Sequence, residues 1–322
     1  MATTSRVRGG PLNVECPVRV LAPVAAALAA GRPVVALESS VLAQGLPIPQ
    51  NRDAAECMVL AVQREGAMPA ITAVVRGVAS VGLQPDELER FLARDNIRKV
   101  SARDLPVAMA QKADGATTVA ASLCIAGAIG VAVFATGGIG GVHRDAPFDE
   151  SGDLIELART PMIVVCAGAK SILNLPATLE RLETLGVTVV GYQTGEFPGF
   201  FTKTTGLRLT ARADTPAELA EIYLASRALG RRQATLVVQP PSDDVALPQD
   251  LVDRAVAEAL AEAQSAGIRG AGTTPFLLGA VLRATGGKSL RTNLALLEQN
   301  AALAARIAVC VAEGTNSAMR ST

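Results

Sequence analysis

Several side chains of this 322-residue chain stand where they could do chemistry. Lys170 follows the apolar run MIVVCAG and is hemmed in by Cys166, Ala167, Gly168 and Ala169. A lysine just past a buried strand would be partly desolvated, and its amine could attack a carbonyl or anomeric carbon. The alternative is a lysine that anchors the neighbouring short helix. Glu38 ends another buried run, PVVALES, ahead of the Gly- and Pro-bearing loop SVLAQGLPIPQN. It is either a site carboxylate or a cap on the next helix, and spacing leaves both open. The segment HRDAPFDESGDL supplies Asp145, Asp149 and Asp153, with Ser151 between the last two. Oxygen-only donors at this density suit a hard cation such as Mg²⁺ or Mn²⁺, or else form a solvated loop that caps the helix GDLIELAR.

Weaker signals surround these. The sole histidine, His143, ends a glycine-rich turn, GGIGG, that does not satisfy G-x-G-x-x-G and so is a poor dinucleotide fingerprint. In DGATTVAAS, free N–H groups at a helix start and the Thr117 and Thr118 hydroxyls make either an anion site or an ordinary N-cap. Lys99, between Arg98 and Val100, reads as an edge-strand residue facing solvent. Asn293 falls at the start of the last helix, as a cap or as a polar finger into a pocket.

The elements that must carry these residues alternate as an α/β fold. PVVALES, VAVFAT, MIVVCAG, VTVVGYQT and ATLVVQP have the length and β-branched content of buried strands. In open α/β sheets ligands sit beyond the carboxyl ends of the strands, so the loops carrying His143 and Lys170 are expected to face one pocket. Helices are expected over Val18 to Ala30, from an Asn51 N-cap to Glu65, over PDELERFLA, and almost continuously after Pro248. No internal repeat or low-complexity linker is visible. The expected organisation is a disordered tail over residues 1–16, one domain over 17–313 and a disordered tail over 314–322.

Composition removes several function classes. Lys+Arg and Asp+Glu number 30 each, so no net field draws the chain to nucleic acid or an anionic membrane. Aromatics are 3% with no Trp, which removes the stacking platforms of single-strand binders. Cys16, Cys57, Cys124, Cys166 and Cys310 are widely spaced with no C-x-x-C pair, the usage of a reducing compartment. With no apolar h-region behind the N-terminal arginines, a cytoplasmic location is expected. The uncharged stretch from Ala116 to Val142 is broken by glycines and parses as a buried helix, a turn and a strand better than as a membrane span.

Taken in order, PVVALESSVLAQGLPIPQN, RKVSARDLP, GATTVAAS, VFATGGIGGVHR, FDESGDL, VVCAGAKSIL, GYQT, TTPFLL and TGGKSLRTN resemble the pseudouridine-5'-phosphate glycosidase family, which also contains the indigoidine-synthesis A proteins. The resemblance runs from about residue 17 to 313. It implies a three-layer α/β/α sandwich around a mixed, largely parallel sheet, assembled as a homotrimer. It also implies reversible cleavage of the carbon–carbon glycosidic bond of pseudouridine 5'-phosphate to uracil and ribose 5-phosphate. Glu38 then resembles the general acid on the ribose ring oxygen, and Lys170 the nucleophile that opens the sugar as a Schiff base. Lys99, Val119, Ser151, Gly152, Asp153 and Asn293 resemble substrate contacts. Asp149 resembles the single protein ligand of a water-rich Mn²⁺, with Mg²⁺ the other candidate.

That chemistry suits the residues. A carbon-linked base has no heteroatom leaving group to protonate, so two-carboxylate hydrolysis is ill suited, whereas a lysine iminium provides an electron sink. The chain departs from the resembling family at Gln44, where many members carry histidine, and at Glu150 and Gly152, where Ile and Ala are common; the loop after His143 is also short. The rival readings are a Schiff-base aldolase acting on another sugar phosphate and a non-catalytic nucleotide-binding relative.

Overall fold

In the computed structural model the described residues are 18–144, 148–268 and 272–320, with side chains described through residue 315. The chain opens with β1 (Arg19–Val20) and α1 (Ala22–Ala29), then β2 (Val34–Leu37), a π-turn (Val41–Gly45) and α2 (Gln50–Arg64). A hairpin of β3 (Met68–Val75) and β4 (Val78–Val81) leads to α3 (Pro85–Ala93), β5 (Arg98–Val100), α4 (Leu105–Ala110) and β6 (Gly115–Thr117). Next come α5 (Val119–Ala128), β7 (Val133–Ala135), α6 (Gly152–Leu157), β8 (Ile163–Cys166), α7 (Leu175–Thr184), β9 (Thr188–Tyr192) and β10 (Arg212–Ala213). After α8 (Pro216–Ala228) and β11 (Thr235–Val238) the chain is helical, in α9 (Gln249–Ser265), α10 (Thr273–Ala284) and α11 (Lys288–Arg320).

The strands form one 11-stranded mixed sheet ordered β1-β4-β3-β2-β7-β8-β11-β9-β10, with β6 also on β3 and β5 on β6. Pairings from β3–β2 through β9–β10 are parallel, whereas β3 is antiparallel to β4 and β6. The runs VVAL, VFA, IVVC and TLVV are buried throughout because helices cover both faces of the parallel part. Successive side chains alternate between two cores: Val34, Ala36, Val164 and Cys166 on one face, Val35, Leu37, Ile163 and Val165 on the other. Helices α2, α8 and α11 pack over the second face, and α1 and α5 over the first, giving the expected three layers.

The uncharged stretch resolves into β6, a ten-residue α5 and β7, so its apolar character belongs to the core. Helix α11 is long and apolar enough over Lys288–Thr315 to cross a membrane, but 56% of its most apolar window is buried. Leu297, Ala301, Leu303, Ala304 and Ile307 lie in the second core, which identifies α11 as a core helix. The same helix continues through Arg320, so residues 314–320, expected as a tail, are helical; residues 1–17 and 321–322 lie outside the described residues.

Two local expectations are corrected. Helix α1 begins at Ala22, because Val18 to Val20 approach the sheet as β1 beside β4. Asn51 is the second residue of α2, not its cap: its amide is buried and donates to the Leu42 and Leu92 carbonyls at 3.0 and 2.8 Å. Those two bonds tie the loop after Glu38 to α3 and spend the side chain on tertiary contacts.

Candidate active site

Parallel strands deliver polar residues together at their carboxyl ends. Glu38 leaves the end of β2 and is only 6% exposed, so its carboxylate needs partners. Ser40 Oγ donates to Oε2 at 2.6 Å, and the hydroxyl of Thr136, just past β7, donates to Oε1. Thr136 is itself held by the fully buried Asn300 of α11, whose Nδ2 donates to the Thr136 carbonyl at 2.8 Å; Gln239 Nε2 donates to Asn300 Oδ1 at 2.9 Å.

Lys170 lies four residues beyond β8. The chain turns at Gly168, whose φ of +85° a side chain resists and whose Cβ position faces the Pro198 carbonyl at 2.6 Å. The turn aims Lys170 across the neighbouring loop, where Nζ donates to the Gly138 carbonyl at 2.8 Å. Glu38 and Lys170 meet on one cavity of about 240 Å³, which Lys99, Val119, Ser151, Asp153 and Asn293 also line. Gly152 is not on that wall; it lies beside Ser101, which is.

The start of α5 is built from several elements. Thr118 is its N-cap and accepts from the Ala121 N–H at 3.5 Å, while Asp153 Oδ1 accepts from the Ala120 N–H at 2.9 Å. Val119, between them, lines the cavity, and as the first residue of α5 its N–H has no partner within the helix. Thr117 does not line the cavity. Fully buried in β6, it joins a hydroxyl network with Ser39, Thr72 and Ser122 beneath the site, at 2.9 Å from Thr72 Oγ1 and 3.2 Å from Ser39 Oγ.

Lys99 is exposed on β5, an edge strand, as expected, and it also lines the cavity. Burial pushes its ammonium below the ordinary lysine value, and the Lys170 charge pushes the same way; Glu38 and Asp153 partly oppose both. Asn293 lies in the second turn of α11 and reaches the cavity as a polar finger beside Gly137, not as a cap.

The aspartate loop proves to be chiefly architecture. Ser151 caps α6 by accepting from the Asp153 N–H at 3.2 Å, and Asp153 Oδ2 accepts from the Gly140 N–H at 2.8 Å. Gly140 permits this approach: a Cβ there would collide with Ser151 Oγ and stand 2.9 Å from Asp153 Oδ2. Both Asp153 oxygens thus serve backbone amides, and Asp145 lies outside the described residues. Asp149 is exposed and does not line the cavity; its carbonyl accepts at 2.9 Å from the N–H of His143, which does. Among the described residues no three His, Cys, Asp or Glu side chains converge as a metal cluster. A lone exposed carboxylate such as that of Asp149 could serve only a cation that keeps most of its ligands as water.

The cavity also recruits residues that the spacing did not single out as ligands. Ser101 and Arg103 follow Lys99, Phe200 comes from the loop after β9, and Thr274, Pro275 and Leu278 come from α10. Lys99 and Ser101 share a period-two spacing, a usable signal; Phe200 carried none.

Residues 23–310 match the model of the family described as indigoidine synthase A like protein. The chain belongs to that family. It is 63% identical over 297 residues to the pseudouridine-5'-phosphate glycosidase of Gemmatimonas aurantiaca, covering 92% of this chain and 97% of that protein. With the protein of the same name from Herpetosiphon aurantiacus it shares 50% identity over 295 residues, covering 91% and 97%. Among solved structures it resembles the prealnumycin C-glycosynthase in complex with ribulose 5-phosphate, at TM-score 0.86 and 36% identity, over 93% of this chain and 98% of that one. An indigoidine synthase A-like protein of Thermotoga maritima matches at TM-score 0.82 and 34% identity, over 88% and 94%. The α/β sandwich of this indigoidine synthase A-like chain is thus the one its solved relatives share.

Proposed function

We propose that this chain cleaves the carbon–carbon glycosidic bond of pseudouridine 5'-phosphate to uracil and ribose 5-phosphate, and catalyses the reverse reaction. The observation that carries the reading is the convergence of a buried carboxyl group, Glu38, and an amine, Lys170, on one cavity that Val119, at the start of α5, also lines. Membership in a family with relatives of that name at up to 63% identity supports the choice of substrate.

The phosphate lies against the Val119 N–H, Lys99 and Ser151. Glu38 gives a proton to the ribose ring oxygen while the Lys170 amine attacks C1′; the C1′–O4′ bond breaks and a C1′–N bond forms. The bond from C1′ to the uracil ring carbon then breaks. Its electron pair goes to that carbon, which takes up a proton, and the lysine nitrogen lone pair closes a C=N bond. Water adds at C1′, and ribose 5-phosphate leaves with Lys170 restored as an amine.

The same proposal places a hydrated Mn²⁺, or Mg²⁺, on Asp149, where the ion would supply positive charge beside the His143 backbone. It also includes a homotrimer, read by light scattering, and a cytoplasmic location. The deciding experiment is intact mass after incubation with ribose 5-phosphate, Mn²⁺ and sodium borohydride. A pentose-phosphate adduct on wild type and not on Lys170→Ala is expected. Absence of an adduct on metal-loaded wild type would sink the lysine mechanism, and an adduct with no release of uracil from pseudouridine 5'-phosphate would point to the aldolase-type rival.

A further inference from the structure

Gln44 carries a polar atom that the reaction above does not use. It sits in the π-turn that follows Glu38 and lines the cavity. Its Nε2 donates to the Ile97 carbonyl at 3.2 Å, which identifies the two ends of the amide: the donor faces Ile97, and Oε1 is the acceptor left over. Oε1 is shielded from solvent and accepts no hydrogen bond from the described residues. A buried acceptor without a donor costs free energy, which a ligand can return by bringing an N–H or O–H.

The surroundings favour a ring N–H over a sugar hydroxyl. Val41 of the same turn and Pro275 and Leu278 of α10, which packs on that turn, are apolar and line the same cavity. A flat heterocycle fits against such walls. Sugar and phosphate oxygens are better matched to the charged groups, where Lys99 interacts electrostatically with Lys170, Glu38 and Asp153. We propose that Gln44 is the residue that recognises the base, its Oε1 turning onto the cavity to accept a ring N–H of uracil. A carbon-linked uracil carries N–H groups at both ring positions one atom removed from those flanking its glycosidic carbon. A nitrogen-linked one has N–H at one and C–H at the other, so a lone acceptor can distinguish the two linkages.

The inference rests on the function proposed above, and the test separates them. Binding of uracil, 1-methyluracil and 3-methyluracil is measured by calorimetry in the presence of ribose 5-phosphate, for wild type, Gln44→Leu and Gln44→His. Wild type should discriminate about tenfold against the methyluracil whose methyl blocks the contacted N–H, the scale of one hydrogen bond to a buried group. Gln44→Leu should weaken uracil binding about tenfold and lose that discrimination, with borohydride trapping of ribose 5-phosphate unchanged. Gln44→His should restore both, because a neutral imidazole again offers one donor and one acceptor. Unchanged uracil binding in Gln44→Leu, or a loss in sugar-phosphate trapping alone, overturns the assignment. If Gln44→Leu does not fold, equal binding of all three bases by wild type overturns it. Loss of trapping on wild type with uracil binding intact would overturn the lysine mechanism and leave the base contact standing.

Discussion

Asp153 Oδ1 accepts the N–H of Ala120 at 2.9 Å, so a carboxylate from one loop occupies the first turn of α5 beside the amide of Val119. Its other oxygen holds Gly140. The candidate anion pocket is therefore positioned by a carboxylate, which is also the like charge that a phosphate must approach.

Replacing that strut should loosen two loops together. Asp153→Ala removes two charge-assisted bonds from a 6% exposed site and should cost about 3 kcal/mol of stability. It should also raise KM for the phosphate-bearing substrate more than it lowers kcat. Denaturant titration beside steady-state kinetics checks both; an unchanged KM would detach Asp153 from the phosphate pocket.

Glu38→Gln preserves shape and removes the proton. A loss of kcat of about 10²–10⁴-fold is expected, with the melting temperature little changed. Thr136→Val, which deletes the hydroxyl on Glu38 Oε1, should give a smaller loss in kcat, read in the same assay. Full activity in Glu38→Gln would remove Glu38 from the acid role.

Lys99 should give the site a basic limb in its pH profile. Burial, then the Lys170 charge, holds its folded-state value below the ordinary lysine value of about 10.4. As pH rises through the lowered value, Lys99 loses its charge and KM for the phosphate should rise, earlier than for an exposed lysine. The unfolded chain binds more protons than the folded one between the two values, so stability contributed by this group rises with pH in that window and its penalty is complete below it. Lys99→Met should accordingly raise KM, abolish that limb and remove the penalty at neutral pH. A KM-against-pH series on both proteins decides it.

Asp149→Asn should weaken Mn²⁺ binding about tenfold or more while leaving the fold intact, as expected when the one charged protein ligand is lost. Titration followed by electron paramagnetic resonance measures it. Equal affinity in both proteins would move the ion elsewhere.

Much of the scaffold was legible because buried parallel strands must be apolar on both faces. VVAL, VFA, IVVC and TLVV could be read as core, and the polar residues just after them as candidates for one crevice. Glu38 and Lys170 were recognisable for that reason. The exposure of Lys99 was legible from its edge strand, but period-two spacing says which side a residue faces, not that a cavity lies on that side. Asn51 passed for a helix cap, since local pattern cannot see the Leu42 and Leu92 carbonyls that claim its amide.

By itself, the sequence determined the alternation of elements, the two-sided burial of the parallel strands and the residue types at their carboxyl ends, all of which depend on neighbours within a few positions. Only the tertiary structure decided which polar groups remain for a ligand. It spent Asp153 on Gly140 and Ala120, turned Thr117 into a buried hydroxyl network, and left Gln44 Oε1 without a donor among the described residues. Those assignments depend on hydrogen bonds between segments far apart in the chain, and a buried polar group is committed by whichever partner the fold brings within 3 Å or so.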